Sequence, residues 1–483
     1  MRNPIQRAFN ICLALLCVLF TLTPPDAMAV TKQDYNDAIE AIGAPGIAVI
    51  EFNSDGITKE TYIGKDGNGY LLGEDTPFVW GALSKSLTAA AAIQLSEEGY
   101  LDLESPITQY LPELLGSTLD AQKTTVLQLI HHTSGLPANI IPGVATNEEL
   151  LQRLQNFKDI QNPGQYQYSN TGYSLLQEIL SRAAGTNFAD IIQEKVGKPS
   201  GSSPIISDQE TFNIRVPQGH QPFFGTHRAA PVETWPNAFG SVFLSGTSKQ
   251  FALYARWQLQ QHIHHNSPST IPRTRVSQNH EYGAGLNYKQ RKTKNSKTIE
   301  YVYHSGSVWG YTSYIGFTPE TNRGLVVFTN ELGLRTQYNE RRRNGANAFI
   351  AKYFELEDYT QASLIPTDIL ILSAQSLVLA VLAIITLYFA RKPLRTTAPK
   401  SSQQAFLRTS IPLILGIASA LLVYYGGPKA FGHELSEVEV GAPDIALLFH
   451  LIILEIHILT AVIVYKEIRR TYKGTGKPHM PHL

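Results

Sequence analysis

At 483 residues the chain is too long for one small domain, and 40 Lys plus Arg against 40 Asp plus Glu leave it without net charge. That balance excludes a basic nucleic-acid-binding surface or a polyacidic partner as the organising feature. Both cysteines, Cys12 and Cys17, sit at the extreme N-terminus, so nothing beyond them can form a disulfide or act as a thiol.

In chain order, Arg2 and Arg7, the apolar run Ile11–Leu22 and the triplet Ala27-Met28-Ala29 form a secretory signal with a small-x-small cleavage site, which assigns 1–29 to a signal peptide. Leu16, large where lipoprotein sites need a small residue, argues against Cys17 as a lipid anchor. Asp34–Ile42 has helical character. Ile47–Phe52 reads as a strand, Ser54-Asp55-Gly56 as a hairpin turn and Thr58–Ile63 as the partner strand. Ala82–Glu98 reads as a helix with Gly99 as its C-terminal cap. The stretch from about 105 to 270 reads as helices and Pro/Gly-rich loops. Glu300–His304, Thr312–Thr318 and Gly324–Thr329 read as strands, and Tyr338–Phe354 as a polar helix. Strands at both ends with helices between them imply an α/β fold, a sheet whose halves come from distant sequence carrying an inserted helical lobe. His262, His264 and His265 lack supporting carboxylate or cysteine spacing and read as a solvated loop; no metal site is expected.

Composition shifts in the last hundred residues. Ile369–Ala390, Phe406–Tyr425 and Ile445–Tyr465 are each near the ~20 apolar residues that span a bilayer. The first connection carries Arg391, Lys392, Arg395, Lys400 and Arg408 with no acid; the second carries Glu434, Glu437, Glu439 and Asp444 against Lys429 alone; the tail carries Lys466, Arg469, Arg470, Lys473 and Lys477. By the positive-inside bias the first connection and the tail are cytoplasmic, which places 30–360 outside the cytoplasm. The expected organisation is a signal peptide (1–29), an extracytoplasmic domain (30–360), a three-helix transmembrane region (361–470) and a cytoplasmic tail (471–483), in a multi-pass protein of the cell membrane. His450, Glu455 and His457 fall inside the third span; His450 and His457 share a face, and hydrogen bonding to neighbouring helices is the expected role.

The segment Gly81-Ala82-Leu83-Ser84-Lys85-Ser86-Leu87-Thr88-Ala89 has the form of a Ser-x-x-Lys nucleophile segment with alanine in the serine position. A methyl group cannot attack a carbonyl. Ser84 is a poor substitute, because it lies about 100° around the helix from Lys85. Three further segments follow: Leu129-Ile130-His131-His132-Thr133-Ser134-Gly135-Leu136, then Tyr168-Ser169-Asn170, then His304-Ser305-Gly306 with Gly310 beyond it. Together and in this order they resemble the serine β-lactamase and penicillin-binding-protein superfamily, specifically its class C-like branch of D-amino-acid peptidases and esterases.

That resemblance implies a β-lactamase/transpeptidase-like antiparallel sheet with an inserted helical lobe, and an acyl-enzyme mechanism without cofactor or metal. It implies position 82 as the nucleophile site and Lys85 as the base. Tyr168 would share or relay the proton, with cationic Lys85 favouring its phenolate. Asn170 would orient Lys85 and a substrate carbonyl, and His304 would complete the wall. Gly306 and Ser307 would bind substrate, the main-chain N–H groups of residues 82 and 307 forming an oxyanion hole that alanine leaves intact. The implied partners are a small peptide, acyl-peptide or ester substrate and the lipid bilayer, with no nucleic acid. Ala82 is either an exchange that holds substrate without turnover or a native residue. In the native case, a non-catalytic receptor for peptidoglycan or lipopeptide ligands is the alternative function.

Overall fold

The computed structural model describes residues 35–138, 146–264, 272–334, 336–357, 367–392, 399–430 and 432–474; the proposed signal peptide and both cysteines lie outside these. Strand β1 (Gly46–Phe52) turns at Asn53, whose side-chain oxygen takes the N–H groups of Asp55 and Gly56, and returns as β2 (Ile57–Gly64). Then come β3 (Pro77–Val79), the hairpin β4 (Gly219–Phe223) and β5 (Thr226–Ala230), and β6 (Ser245–Thr247). The C-terminal part of the domain supplies β7 (Thr274–Ser277), β8 (His280–Gly283), β9 (Leu286–Lys292), β10 (Thr298–Val308), β11 (Tyr311–Thr318) and β12 (Arg323–Thr329). Eight strands form one sheet in the order β2-β1-β12-β11-β10-β9-β8-β7, each neighbouring pair antiparallel.

Distant sequence therefore meets at the β1–β12 seam, where Val49 faces Val327. Strand β1 is apolar except for Glu51 because both its faces are buried. Ala48, Ile50 and Phe52 join the main core, while Ile47 and Val49 join a second core closed by Phe349, Ile350 and Phe354. Those last residues belong to or follow the helix Thr336–Tyr353, close to the sequence expectation of Tyr338–Phe354.

Helix α1 (Ser84–Glu97) runs through the core, with Ser84–Ile93 and Leu95 all buried. Four consecutive alanines, Ala89–Ala92, make this possible: they favour helix and let neighbours approach on every side. It ends in a Schellman arrangement, with Gly99 at φ +80° and Tyr100 N–H donating to Leu95 O at 2.9 Å. The inserted lobe includes α2 (Asn170–Ala184) and returns to the sheet through α3 (Ser248–Ile263). His262 lies in α3, its Nδ1 2.8 Å from Gln258 O and its ring against Tyr288 and Phe317. This corrects the solvated-loop expectation for that residue: apolar packing took the imidazole into the core. His265 lies outside the described residues.

With the helix Thr336–Tyr353 as α4, the C-terminal helices that follow include α5 (Thr367–Arg391), α6 (Ser402–Leu421), the short α7 (Leu435–Gly441) and α8 (Pro443–Gly474). Segments of α5, α6 with its continuation to Lys429, and α8 are long and apolar enough to cross a membrane. Helices α5 and α8 run parallel: Lys466 Nζ, near the end of α8, donates to the carbonyls of Ala390 and Lys392 at 2.8 Å each, at the end of α5. Helix α7 packs on the β-sheet domain through Leu334 N–H, which donates to Gly441 O at 2.6 Å. The domain and the second connection thus share one end of the bundle.

The expectation for the third span holds for one of its two histidines, His450. His457 Nδ1 lies 2.7 Å from Ile453 O and His450 Nδ1 2.8 Å from Ala446 O, each one turn back on its own helix. His450 Nε2 meets Glu439 of α7 at 3.2 Å rather than a spanning neighbour. Near a helix end the nearest acceptor is the connecting segment.

Candidate active site

The chain reaches Ala82 through a tight turn that only close-approach glycines permit. Gly81 has φ +59°, and a Cβ there would sit 2.8 Å from Ser307 N. On the facing strand, a Cβ on Gly306 would sit 2.3 Å from Ser313 Oγ, 2.5 Å from Trp80 O and 2.9 Å from Ala82 N. Two glycines therefore bring the main chain of residues 81–82 against that of 306–307. Ser313 Oγ donates to Trp80 O at 2.6 Å and ties strand β11 to the same turn. Ala82 is 8% exposed, so position 82 borders the space in front of this junction.

Lys85 follows within α1, one turn after position 82, and is fully buried. Its Nζ donates to Asn170 Oδ1 at 2.6 Å and to Ser241 O at 2.8 Å. Burial pushes its pKa well below the usual lysine range. A neutral amine has two N–H groups, and both are accounted for by these acceptors. The remaining tetrahedral position is a lone pair, the form a general base needs. Ser84, by contrast, is buried with its hydroxyl donating to Gly81 O at 2.7 Å.

Tyr168 and Asn170 flank Ser169, which caps α2 by accepting Gly172 N–H at 3.1 Å. Ser169 N–H donates to His132 Nδ1 at 3.0 Å, so the His132 proton sits on Nε2 and points to Tyr282 Oη at 3.1 Å. The His132 ring lies 4.5 Å from that of Tyr168 and 4.8 Å from that of Tyr282, while Tyr173 donates to Ile130 O at 2.9 Å. The result is an aromatic box on one side of Lys85, whose Nζ stands 4.9 Å from the Tyr168 ring centre. Burial, aided by Tyr166, raises the Tyr168 pKa. The expected phenolate is thereby corrected: a buried site holds both the amine and the phenol neutral, because charging either costs more than their mutual attraction returns.

His304 Nδ1 lies 2.7 Å from Ser305 O, and its ring lies 6.5 Å from that of Tyr168. Burial above all lowers its pKa to about 4, and any proton on Lys85 acts in the same direction. His132 is pushed down for the same first reason, desolvation. The sign of the stability effect follows. Between about 4 and the ordinary histidine value of 6.5, the unfolded chain binds a proton at this position that the folded chain does not. Stability therefore rises with pH through that window and is lost as pH falls through it, by on the order of 3 kcal/mol for His304. Thermal unfolding between pH 7 and 4 checks this: His304→Asn is expected to flatten the acid-side fall in Tm, and an unchanged profile would contradict it.

A cavity of about 860 Å³ opens at Asn170, Ser241 and Ser307 and extends past Val308 and Trp309 to α7. All the residues singled out in the sequence thus fall around one locus: Ala82, Lys85, Tyr168, Asn170, His304, Gly306 and Ser307. Ser241, Tyr282 and the α7 wall were not singled out. Ser241 contributes its carbonyl, which carries no sequence signal. Tyr282 lies on the four-residue strand β8 of a polar edge hairpin, too short for alternation to show. Among the described residues there is no group of three or more metal-ligating side chains.

The sequence model of the family described as Beta-lactamase matches residues 35–348. The chain is similar to the "Beta-lactamase" of Providencia stuartii, 27% identical over 230 residues, covering 46% of this chain and 58% of that protein. It is also similar to the "Putative penicillin-binding protein PbpX" of Bacillus subtilis (strain 168), 30% identical over 174 residues, covering 35% of this chain and 43% of that one. The matches thus span about half the length of these relatives. Among solved structures, a class C beta lactamase from Rhodobacter sphaeroides superposes with a TM-score of 0.55 at 19% identity, covering 65% of this chain and 97% of that chain, which shows the fold.

Proposed function

Because the chain belongs to the Beta-lactamase family, we propose that it is a membrane-anchored serine acyl-hydrolase scaffold in which Ala82 stands at the nucleophile position. Its substrates are amides or esters such as D-amino-acid or acylated peptides, and as written it binds them without turnover. The observation that carries this reading is Lys85: a buried amine one turn from position 82, with both N–H groups donated to Asn170 and Ser241 O. A structural lysine gains nothing from such a place, since burying the group costs several kcal/mol unless it is neutral or paired.

In the acylating form, a serine at 82 passes its proton to the Lys85 lone pair as it attacks, and Tyr168 moves the proton towards the leaving group. The N–H groups of residues 82 and 307 receive the oxyanion. The retained surroundings favour a binding role for the alanine form: the nucleophile is gone, while the N–H junction, Asn170 and the cavity are still built. The three apolar helices hold the domain at a bilayer, with the first connection and the tail in the cytoplasm.

The test is hydrolysis by the Ala82→Ser protein of matched panels of labelled penicillin, D-aminoacyl amides and simple esters. Turnover of at least one panel supports the reading, and none by a folded protein overturns it. Gly306→Ala in that background is expected to reduce acylation by about 10²–10³-fold, because the added methyl would meet Ala82 N at 2.9 Å and block the oxyanion site. Stopped-flow acylation measures this, and a rate within threefold of the parent would contradict it.

A further inference from the structure

Helix α7 is fixed to the β-sheet domain, and its attachment is built for close contact. A Cβ on Gly333 would sit 2.6 Å from Gly441 O, and one on Gly441 would sit 2.4 Å from Leu334 Cγ. Phe224 N–H, in the β4–β5 turn, donates to the Asp444 carboxylate at 2.8 Å. That carboxylate is fully buried and also takes Ile445 N–H at 3.0 Å. Leu435, Val438 and Ile445 are buried, with Phe224 and Leu334 packed against them. A connection that served only to join two spanning helices would need none of this.

The same helix lines the active-site cavity. Ser436, Glu437, Glu439 and Val440 of α7 and Pro443 at the start of α8 share that space with Asn170 and Ser307. Val232, Trp235, Phe243, Val308 and Trp309 line it as well, beside Arg228 and Glu233, so its wall is apolar over most of its area. Its volume suits a whole small ligand, well beyond the reacting group alone.

We infer that α7 is a specificity-determining wall of the substrate site, seating an extended aliphatic or aromatic group that the substrate carries next to its scissile carbonyl. The inference rests on the acyl-hydrolase reading for the position of that carbonyl. Val440 is the side chain that sets the fit. It is 40% exposed, so enlarging it fills the cavity rather than straining the packed side of α7. The apolar helices that follow and precede α7 make this end of the site continuous with the bundle.

The test uses the full chain with Ala82 in place, which cannot turn its ligand over. N-acetyl- and N-decanoyl-alanine methyl ester are titrated by calorimetry into the parent chain and into Val440→Trp and Val440→Ala. The expected result is at least tenfold tighter binding of the decanoyl ester by the parent. Val440→Trp should erase that preference and Val440→Ala weaken it about threefold, each read as the ratio of the two esters' affinities. A preference that survives both substitutions, or no preference in the parent, overturns the inference. Fluorophosphonate labelling of the Ala82→Ser form separates the two claims. Labelling without a Val440-dependent preference leaves the acyl-hydrolase reading standing and removes the α7 wall. A Val440-dependent preference without labelling keeps α7 as a ligand-binding wall and removes the acyl-hydrolase reading.

Discussion

Replacing Ala82 with serine is expected to raise ester turnover from background by on the order of 10⁶-fold, the factor by which serine hydrolases fall when the nucleophile is removed. The size of the effect follows from what is already in place. The Gly81 and Gly306 close approaches set the N–H groups of residues 82 and 307 beside one another, and a Cβ hydroxyl at 82 needs no backbone change. Lys85 is already desolvated and oriented by Asn170 and Ser241 O, so the proton acceptor is prepared before substrate arrives. Steady-state kcat for a p-nitrophenyl ester, with the parent chain as blank, reads the effect. A gain below about 10²-fold would mean that the surroundings do not supply the base and the oxyanion site.

The second large effect concerns the base. In the Ala82→Ser background, Lys85→Met is expected to lower kcat/KM by about 10²–10⁴-fold, the usual contribution of a positioned general base. Methionine keeps the volume of the stem, which tests the amine rather than the packing. The pH profile gives a separate signature. Burial holds the Lys85 pKa well below the usual lysine range. The amine is protonated and inactive at low pH, and activity rises with pH through the lowered pKa to a plateau reached below the ordinary lysine range. A profile still climbing through the ordinary lysine range would show a solvated, cationic Lys85 and would contradict the assignment of its role.

The central sheet was legible in the sequence where both of its faces are buried. Ile47–Phe52, apolar except for Glu51, and Gly324–Thr329 form β1 and β12 with bounds that differ by a residue. Strand β10 was read only to His304, yet it continues to Val308. Its Ser305-Gly306-Ser307 stretch has no strand character of its own and is held by the register with β11 and the turn at Ala82. The β4–β5 hairpin and β7–β9 were missed for a related reason. They are short, polar and partly exposed, so tertiary pairing rather than local pattern makes them strands.

The site was legible as a set of motifs but not as an electrostatic environment. Sequence spacing sets Lys85 one turn from position 82. It cannot show that α1 is buried all round; that burial lowers the pKa of Lys85, the expected base, and raises that of Tyr168, for which a phenolate is expected. Main-chain contributors leave no trace in a motif, which is why Ser241 O was absent from the expected set. The α7 wall was hidden by a different cause. Its residues read as an acidic loop between two spans, and only the docking of Gly441 on Leu334 brings them to the cavity.

The most direct measurement is intact-mass analysis of the parent chain and of Ala82→Ser after treatment with a fluorophosphonate. The account predicts one adduct per chain on the serine form, mapped to residue 82, and none on the parent. Equal labelling of both, at another residue, would place the reactive centre elsewhere. No labelling of a folded serine form would show that Lys85 and the main-chain junction do not constitute acylation machinery.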